Sequence, residues 1–364
     1  MAAFTFSAMA KISFLCCHLL MAFCLFYFAA NSRAEGEIGV FELKRGDFSV
    51  KLTNWGATVL SVIPLIKMVF SSSSSINGAR KLDDVVLGFQ TLDGYKNDST
   101  YFGALVGRVA NRIGGAQFTL NGVHYNLTPN EGPNILHGGP KGFSEHVWTV
   151  QSYKEDSHIT FTLHSPDGDE GFPGELAVSV TYLLIETNKL GIKMKAKPLT
   201  KPTPVNLASH TYWNLAGHNS GNILSHTLQL FASRITPVDS ALIPTAKSPT
   251  STPLHTIFSS PELTDGYDIN YALDDTGNVH FQKWRWWRKA KAGGRWSCGV
   301  IRWEFSFTRV ICWEGWRGKM AVYENYAGLC LETQGFPDAV NHPNFPSQIV
   351  NPGETYKHIM VYSK

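Results

Sequence analysis

Cysteine is scarce where it would build anything. Of six in 364 residues, Cys16, Cys17 and Cys24 fall in an apolar N-terminal run, Cys298 and Cys312 in an aromatic segment, and Cys330 stands apart. That distribution makes neither a disulfide framework nor a zinc site. Cys330 reads as a small buried hydrophobe rather than a nucleophile. Charge of one sign is missing too: 32 Lys and Arg face 29 Asp and Glu. The chain as a whole is therefore not a nucleic-acid binder by charge. No long stretch sustains a 3.6-residue period, which excludes a helical bundle. Phosphate-loop signatures are absent as well. The glycine-rich stretch 107–115 lacks both the Lys-Ser/Thr of a P-loop and the Rossmann spacing.

What is present is strand pattern. VFELKRGDFSVKLTNWGATVLSVI, AQFTLNGVHYNL, HVWTVQSYKEDSHITFTLHS, ELAVSVTYLLIETNKLGIKMKAKP and HTLQLFASRI alternate and are rich in β-branched and aromatic residues. Gly, Asn, Asp and Pro punctuate them, as at Asn121-Gly122 and Asp167-Gly168. The pattern predicts an all-β fold, a large sandwich in one domain over residues 35–364, without internal repeats.

The first 34 residues read as a cleaved signal peptide: Lys11, then ISFLCCHLLMAFCLFYFAA, then Ser32-Arg33-Ala34 as a cleavage site. This predicts a secreted protein. The rival reading is an uncleaved signal anchor, since the run is nearly long enough to span a bilayer. Asn97-Asp98-Ser99 and Asn126-Leu127-Thr128 are glycosylation tripeptides in such a compartment. Residues 65–79, LIKMVFSSSSSINGA, interrupt the strand pattern and read as an insertion, either a long loop or a retained intron fragment.

Polar clusters punctuate the strands: GRVANRIGG, NILHGG, NLASHTYWNL, DGYDINY and GLCLETQ. In Leu329-Cys330-Leu331-Glu332, the carboxylate shares a strand face with Cys330 and has apolar flanks. Such a group is expected to be desolvated, which raises its pKa and suits it to act as a base near neutral pH. A buried Glu with His, Arg, Asp and aromatic neighbours suits sugar chemistry. Polar groups fix hydroxyls while ring faces cover C–H surface.

Five strings occur in an order that closely resembles the aldose 1-epimerases, or galactose mutarotases. They are LVGRVANRIGGAQFTLNG, NEGPNILHGGPKGFSEHVW, DGDEGFPGELAVSVTYLL, HTYWNLAGH and CLETQGFPDAVNHPNFPS. The resemblance covers roughly residues 38–364 apart from two breaks. It implies a β-sandwich of the galactose mutarotase type, a small sugar as partner, and no metal or cofactor. It implies that Glu332 is the base on the anomeric hydroxyl and His210 the acid at the ring oxygen. Arg112, His137 and Asp268 match positions that bind sugar hydroxyls, with Asn111 beside them; the chain around Asp268 departs from the family pattern. His218 and Trp213 read as packing. No nucleic acid, no stable membrane contact after leader removal, and a monomer or weak dimer are expected. The alternatives are a non-catalytic sugar-binding member of the fold and a hexose-6-phosphate 1-epimerase.

The second break is the run FQKWRWWRKAKAGGRWSCGVIRWEFSFTRVICWEGWRGK, with seven of the ten tryptophans and ten Lys or Arg against two acids. Removing it leaves 22 basic against 27 acidic residues, so the basic character is local. Permitted codons for residues 302–309, AGG TGG GAG TTC AGT TTT ACA CGA, read from the third base give Val-Gly-Val-Gln-Phe-Tyr-Thr, a string the family carries here. The same shift turns residues 283–288 into Val-Ala-Val-Val-Glu. Residues 283–319 therefore read as an out-of-frame segment. A face-value reading makes them a nucleic-acid or membrane-contact surface.

Overall fold

The computed structural model describes residues 36–64, 83–186, 188–230, 232–245, 250–251, 267–274, 281–288, 295–301, 306–310, 316–319 and 321–363. The expected leader and the expected insertion at 65–79 lie outside the described residues. Alternation in the sequence becomes alternation of burial. In the strand Leu176–Ile185, Leu176, Val178, Val180, Tyr182 and Leu184 are buried and the residues between them turn outward. Side chains on a strand point to opposite faces in turn, so a period of two specifies one buried face.

Eight antiparallel strands form the main sheet. Their order is His226–Leu230, Phe281–Arg288, Arg295–Ile301, Tyr356–Ser363, Lys189–Pro198, Leu176–Ile185, His158–Ser165, Thr149–Lys154. A second sheet of five runs Thr250–Ser251, Ala232–Thr236, Tyr267–Leu273, Ser306–Val310, Glu332–Gln334. One hydrophobic cluster joins them, taking Val180, Met194 and Met360 from the first and Tyr271 and Leu273 from the second. The expected all-β sandwich is thus observed. The short helix Leu92–Lys96 interrupts it.

The tryptophan-rich residues enter both sheets as backbone. Phe281–Arg288 pairs with His226–Leu230 on one side and Arg295–Ile301 on the other. Ser306–Val310 lies between Tyr267–Leu273 and Glu332–Gln334. Lys319 follows the strand Trp316–Arg317. Its Nζ meets Asp84 Oδ2 at 2.7 Å and the Val86 carbonyl at 2.9 Å. Burial lowers the pKa of this ammonium, against the pull of Asp84.

Candidate active site

Three buried side chains converge: His137, His210 and Glu332, with their ligating atoms within 4.8 Å of one another. Each arrives from a different part of the chain, and each is held by backbone.

His137 follows the short strand Ile135–Leu136, which pairs with Arg112–Ile113. Asn111 and His137 clasp each other. The Asn111 carbonyl accepts the His137 N–H at 3.0 Å, and the Asn111 N–H donates to His137 Nδ1 at 3.1 Å. Both residues adopt left-handed backbone, with φ of 63° and 53°. Strain of this kind persists only where surrounding contacts over-determine it. The next residue must be glycine. At Gly138, φ is +91° and a Cβ would stand 2.0 Å from the Gly107 carbonyl oxygen.

Because His137 Nδ1 accepts a hydrogen bond, the neutral ring carries its hydrogen on Nε2 and is a donor there. This decides a second question. Two histidines and a glutamate so close have the look of a metal donor set. A metal-bound histidine, however, donates from its other ring nitrogen. Here that nitrogen accepts, so His137 is set as a hydrogen donor and not as a ligand.

His210 ends the Ala208–Ser209 strand, which pairs with Leu105–Val106. Its backbone is tied on both sides: its N–H donates to Ala104 O at 2.8 Å, and its carbonyl accepts from Gly103 N at 2.9 Å. Its ring sits among those of His137, Tyr212 and Tyr101, with centroids at 5.0, 5.3 and 5.7 Å.

Glu332 begins the Glu332–Gln334 strand. Alternation sorts this stretch: Leu331 joins the main core, and Thr333 bonds His358 at 2.8 Å. The pairing Tyr212↔Cys330 brings the stretch beside His210. Glu332 Oε1 then lies 3.1 Å from His210 Nε2, with side chains 0% and 1% exposed.

Arg112 is buried, and its Nε and Nη2 donate to the two carboxylate oxygens of Glu131, each at 2.5 Å. Asn111 Oδ1 accepts the Arg112 N–H at 2.8 Å. Asp338 ties the far wall: its N–H donates to Arg112 O at 2.9 Å, and its Oδ1 accepts from Gly114 N at 3.0 Å. Burial raises the Asp338 pKa, while Asn341, Gly114 and His342 pull it down.

The structure thus gathers His137, His210 and Glu332, with Asn111 clasping His137 and Arg112 next in the chain. Asp268 is not in that cluster. It is half-buried in the strand Tyr267–Leu273, where pairing with Ser306–Val310 slips, and that strand lies next but one to Glu332 in the sheet. Trp213 packs against Tyr362 at 4.7 Å between ring centroids, and His218 Nδ1 is hydrogen-bonded with Tyr323 Oη at 3.2 Å. Sequence reasoning missed Glu131, Tyr101 and the Cys330 contact. Glu131 had a signal, being an acid in the same NEGPNILHGG string as His137.

The family model described as Aldose 1-epimerase matches residues 39–363. Galactose mutarotase of Mus musculus is 38% identical over 334 residues, covering 89% of this chain and 93% of that protein. Aldose 1-epimerase of Escherichia coli K12 is 33% identical over 338 residues, covering 86% and 91%. The solved structure of a GalM/aldose epimerase homologue from C. elegans superposes with a TM-score of 0.78 at 27% identity, covering 90% of this chain and 98% of that one.

Proposed function

The chain belongs to the aldose 1-epimerase family, and from that premise we propose that it interconverts the α and β anomers of aldoses such as glucose and galactose. We propose His210 and Glu332 as the proton-transfer pair. The observation that carries this is the 3.1 Å approach of His210 Nε2 to Glu332 Oε1 in a buried site. The anomeric hydroxyl and the ring oxygen share one carbon. Two groups lying side by side reach both at once.

The Glu332 carboxylate takes the proton of the anomeric hydroxyl while the His210 imidazolium gives one to the ring oxygen. The bond from C1 to the ring oxygen breaks, leaving an open-chain aldehyde. After rotation about C1–C2 the former ring oxygen attacks the other face of C1. Its proton returns to His210, and Glu332 returns a proton to the carbonyl oxygen. Each group ends as it began, and no cofactor enters the balance. Both must serve as acid and base in turn, which is efficient only when their pKa values lie near the working pH.

The remaining groups orient the sugar. The Nε2–H of His137 suits a hydroxyl oxygen, and Asp268 and Asn111 are assigned to hydroxyls with it. The Arg112 guanidinium is already paired in a fork with Glu131. It therefore offers little net charge to a phosphate, which favours neutral aldoses over hexose 6-phosphates. Secretion remains our reading of residues 1–34, checked by N-terminal sequencing of the product from a secreting host; an intact leader contradicts it.

Polarimetry of freshly dissolved α-D-galactose tests the activity. The protein is expected to speed relaxation in proportion to its concentration, and Glu332→Gln to lower the rate by about a hundredfold or more. A variant as fast as the parent sinks the assignment of Glu332.

A further inference from the structure

One short stretch of chain, the end of the strand Leu329–Cys330 and the start of Glu332–Gln334, faces the His210 imidazole at both of its nitrogens. Cys330 and Glu332 stand two residues apart, with Leu331 between them turned into the main core. Cys330 Sγ lies 3.8 Å from His210 Nδ1, and Glu332 Oε1 lies 3.1 Å from Nε2. All three side chains are buried.

We propose that Cys330 is the positioning residue for His210: its sulfur accepts the Nδ1 hydrogen, which stays on the ring throughout the reaction while Nε2 alone gains and loses a proton. The inference rests on the acid–base reading of His210 given above. As the acid, the ring carries hydrogens on both nitrogens. Once Nε2 has given its proton away it must be bare, ready to take one back. The single hydrogen left is then on Nδ1, and a buried N–H is costly without an acceptor. Sulfur is a weak acceptor. It fixes the tautomer without strongly favouring the charged ring, so the proton passes in either direction. A carboxylate in that place, as in hydrolase triads, would stabilise the imidazolium further.

The neighbouring histidine is set the opposite way. His137 Nδ1 accepts from Asn111, so its hydrogen points from Nε2. The two rings meet edge to face at 5.0 Å. One is a permanent donor and the other a cycling acid. Titratable groups facing His210 include Glu332, Cys330, His137, Tyr101 and Tyr212.

The test is nitrogen NMR of the full chain, labelled in its histidine rings, with His210→Gln used to assign the signal. The neutral His210 ring is expected to carry hydrogen on Nδ1. Cys330→Ser, which keeps a polar acceptor, preserves that tautomer; Cys330→Val, somewhat larger and apolar, loses it. In Cys330→Val, kcat for anomer exchange falls roughly three- to tenfold, the scale of one neutral hydrogen bond, with KM unchanged. The alkaline limb of its kcat profile moves to lower pH, because the unaided imidazolium gives up its proton sooner. A neutral native ring whose single hydrogen is on Nε2 overturns the proposal, as does a Cys330→Val protein with native tautomer and pH profile. Should Cys330→Val fail to fold, the native spectrum alone decides. The tautomer is read without turnover, so an inactive chain with hydrogen on Nδ1 would sink the catalytic reading while leaving the Cys330–His210 hydrogen bond established.

Discussion

The strands Glu332–Gln334 and Ser306–Val310 are hydrogen-bonded neighbours, with Thr308 opposite Glu332 and Ser306 opposite Gln334. Around Glu332 every position has a side-chain reason: Leu331 fills core, Thr333 bonds His358, and Glu332 meets His210. Ser306–Val310 belongs to the segment that reads as out of frame, and its backbone pairs with Tyr267–Leu273 on one side and Glu332–Gln334 on the other. Ladder hydrogen bonds come from groups that every residue but proline owns. The comparison teaches that ladder pairing is open to almost any sequence, whereas a proton-transfer site requires particular side chains.

That contrast can be broken or sharpened. The largest effect is expected from rewriting residues 302–309 as Val-Gly-Val-Gln-Phe-Tyr-Thr, and 283–288 in the same frame. Bulk and charge in a sandwich core cost kilocalories each, so stability to denaturant should rise by about 3 kcal/mol or more. Anomer exchange should rise with it. An unchanged unfolding midpoint would show that the tryptophan-rich sequence is native to the fold. Next comes Gly138→Ala. Left-handed backbone at a non-glycine costs roughly 1–3 kcal/mol, and the Cβ contact with the Gly107 carbonyl adds to it. Thermal unfolding should fall by several degrees and exchange should drop as His137 shifts; a neutral result would mean that the loop is slack.

The smallest effect concerns Glu145. Burial, and then the Asp98 carboxylate, push its pKa from 4.5 up to about 7. A raised carboxylate favours the protonated folded state. Its contribution to stability is therefore full below its ordinary pKa and lost as pH rises through about 7. Glu145→Gln should be more stable than the parent at pH 8 by at most about 1 kcal/mol, given its partial exposure, and equal to it at pH 4. A gap that does not change with pH would contradict the shift.

Much of this was legible beforehand, for physical reasons. Period-two alternation over residues 176–198 reports a half-buried strand directly, and the paired strands Leu176–Ile185 and Lys189–Pro198 follow from it. Glu332 was readable because its flanks are apolar. The pairing of Glu131 with Arg112 was not, since a salt bridge across a loop leaves no periodic trace; only its place in the string that carries His137 marked it. Tyr101 and Cys330 have types that usually mean packing, and only the fold sets them against His210. Asp268 marks the other limit: a residue in a slipped register has no placement that alternation can predict.

The central claim is that His210 and Glu332 act as one device. Exchange NMR on glucose at anomeric equilibrium measures it, with His210→Ala, Glu332→Ala and the double variant compared with the parent. Residues that work as a unit give grossly non-additive losses. Each single variant should lose about a hundredfold or more, and the double should lose no more than the worse single. Losses that multiply, or a single variant retaining the parental rate, would contradict the account.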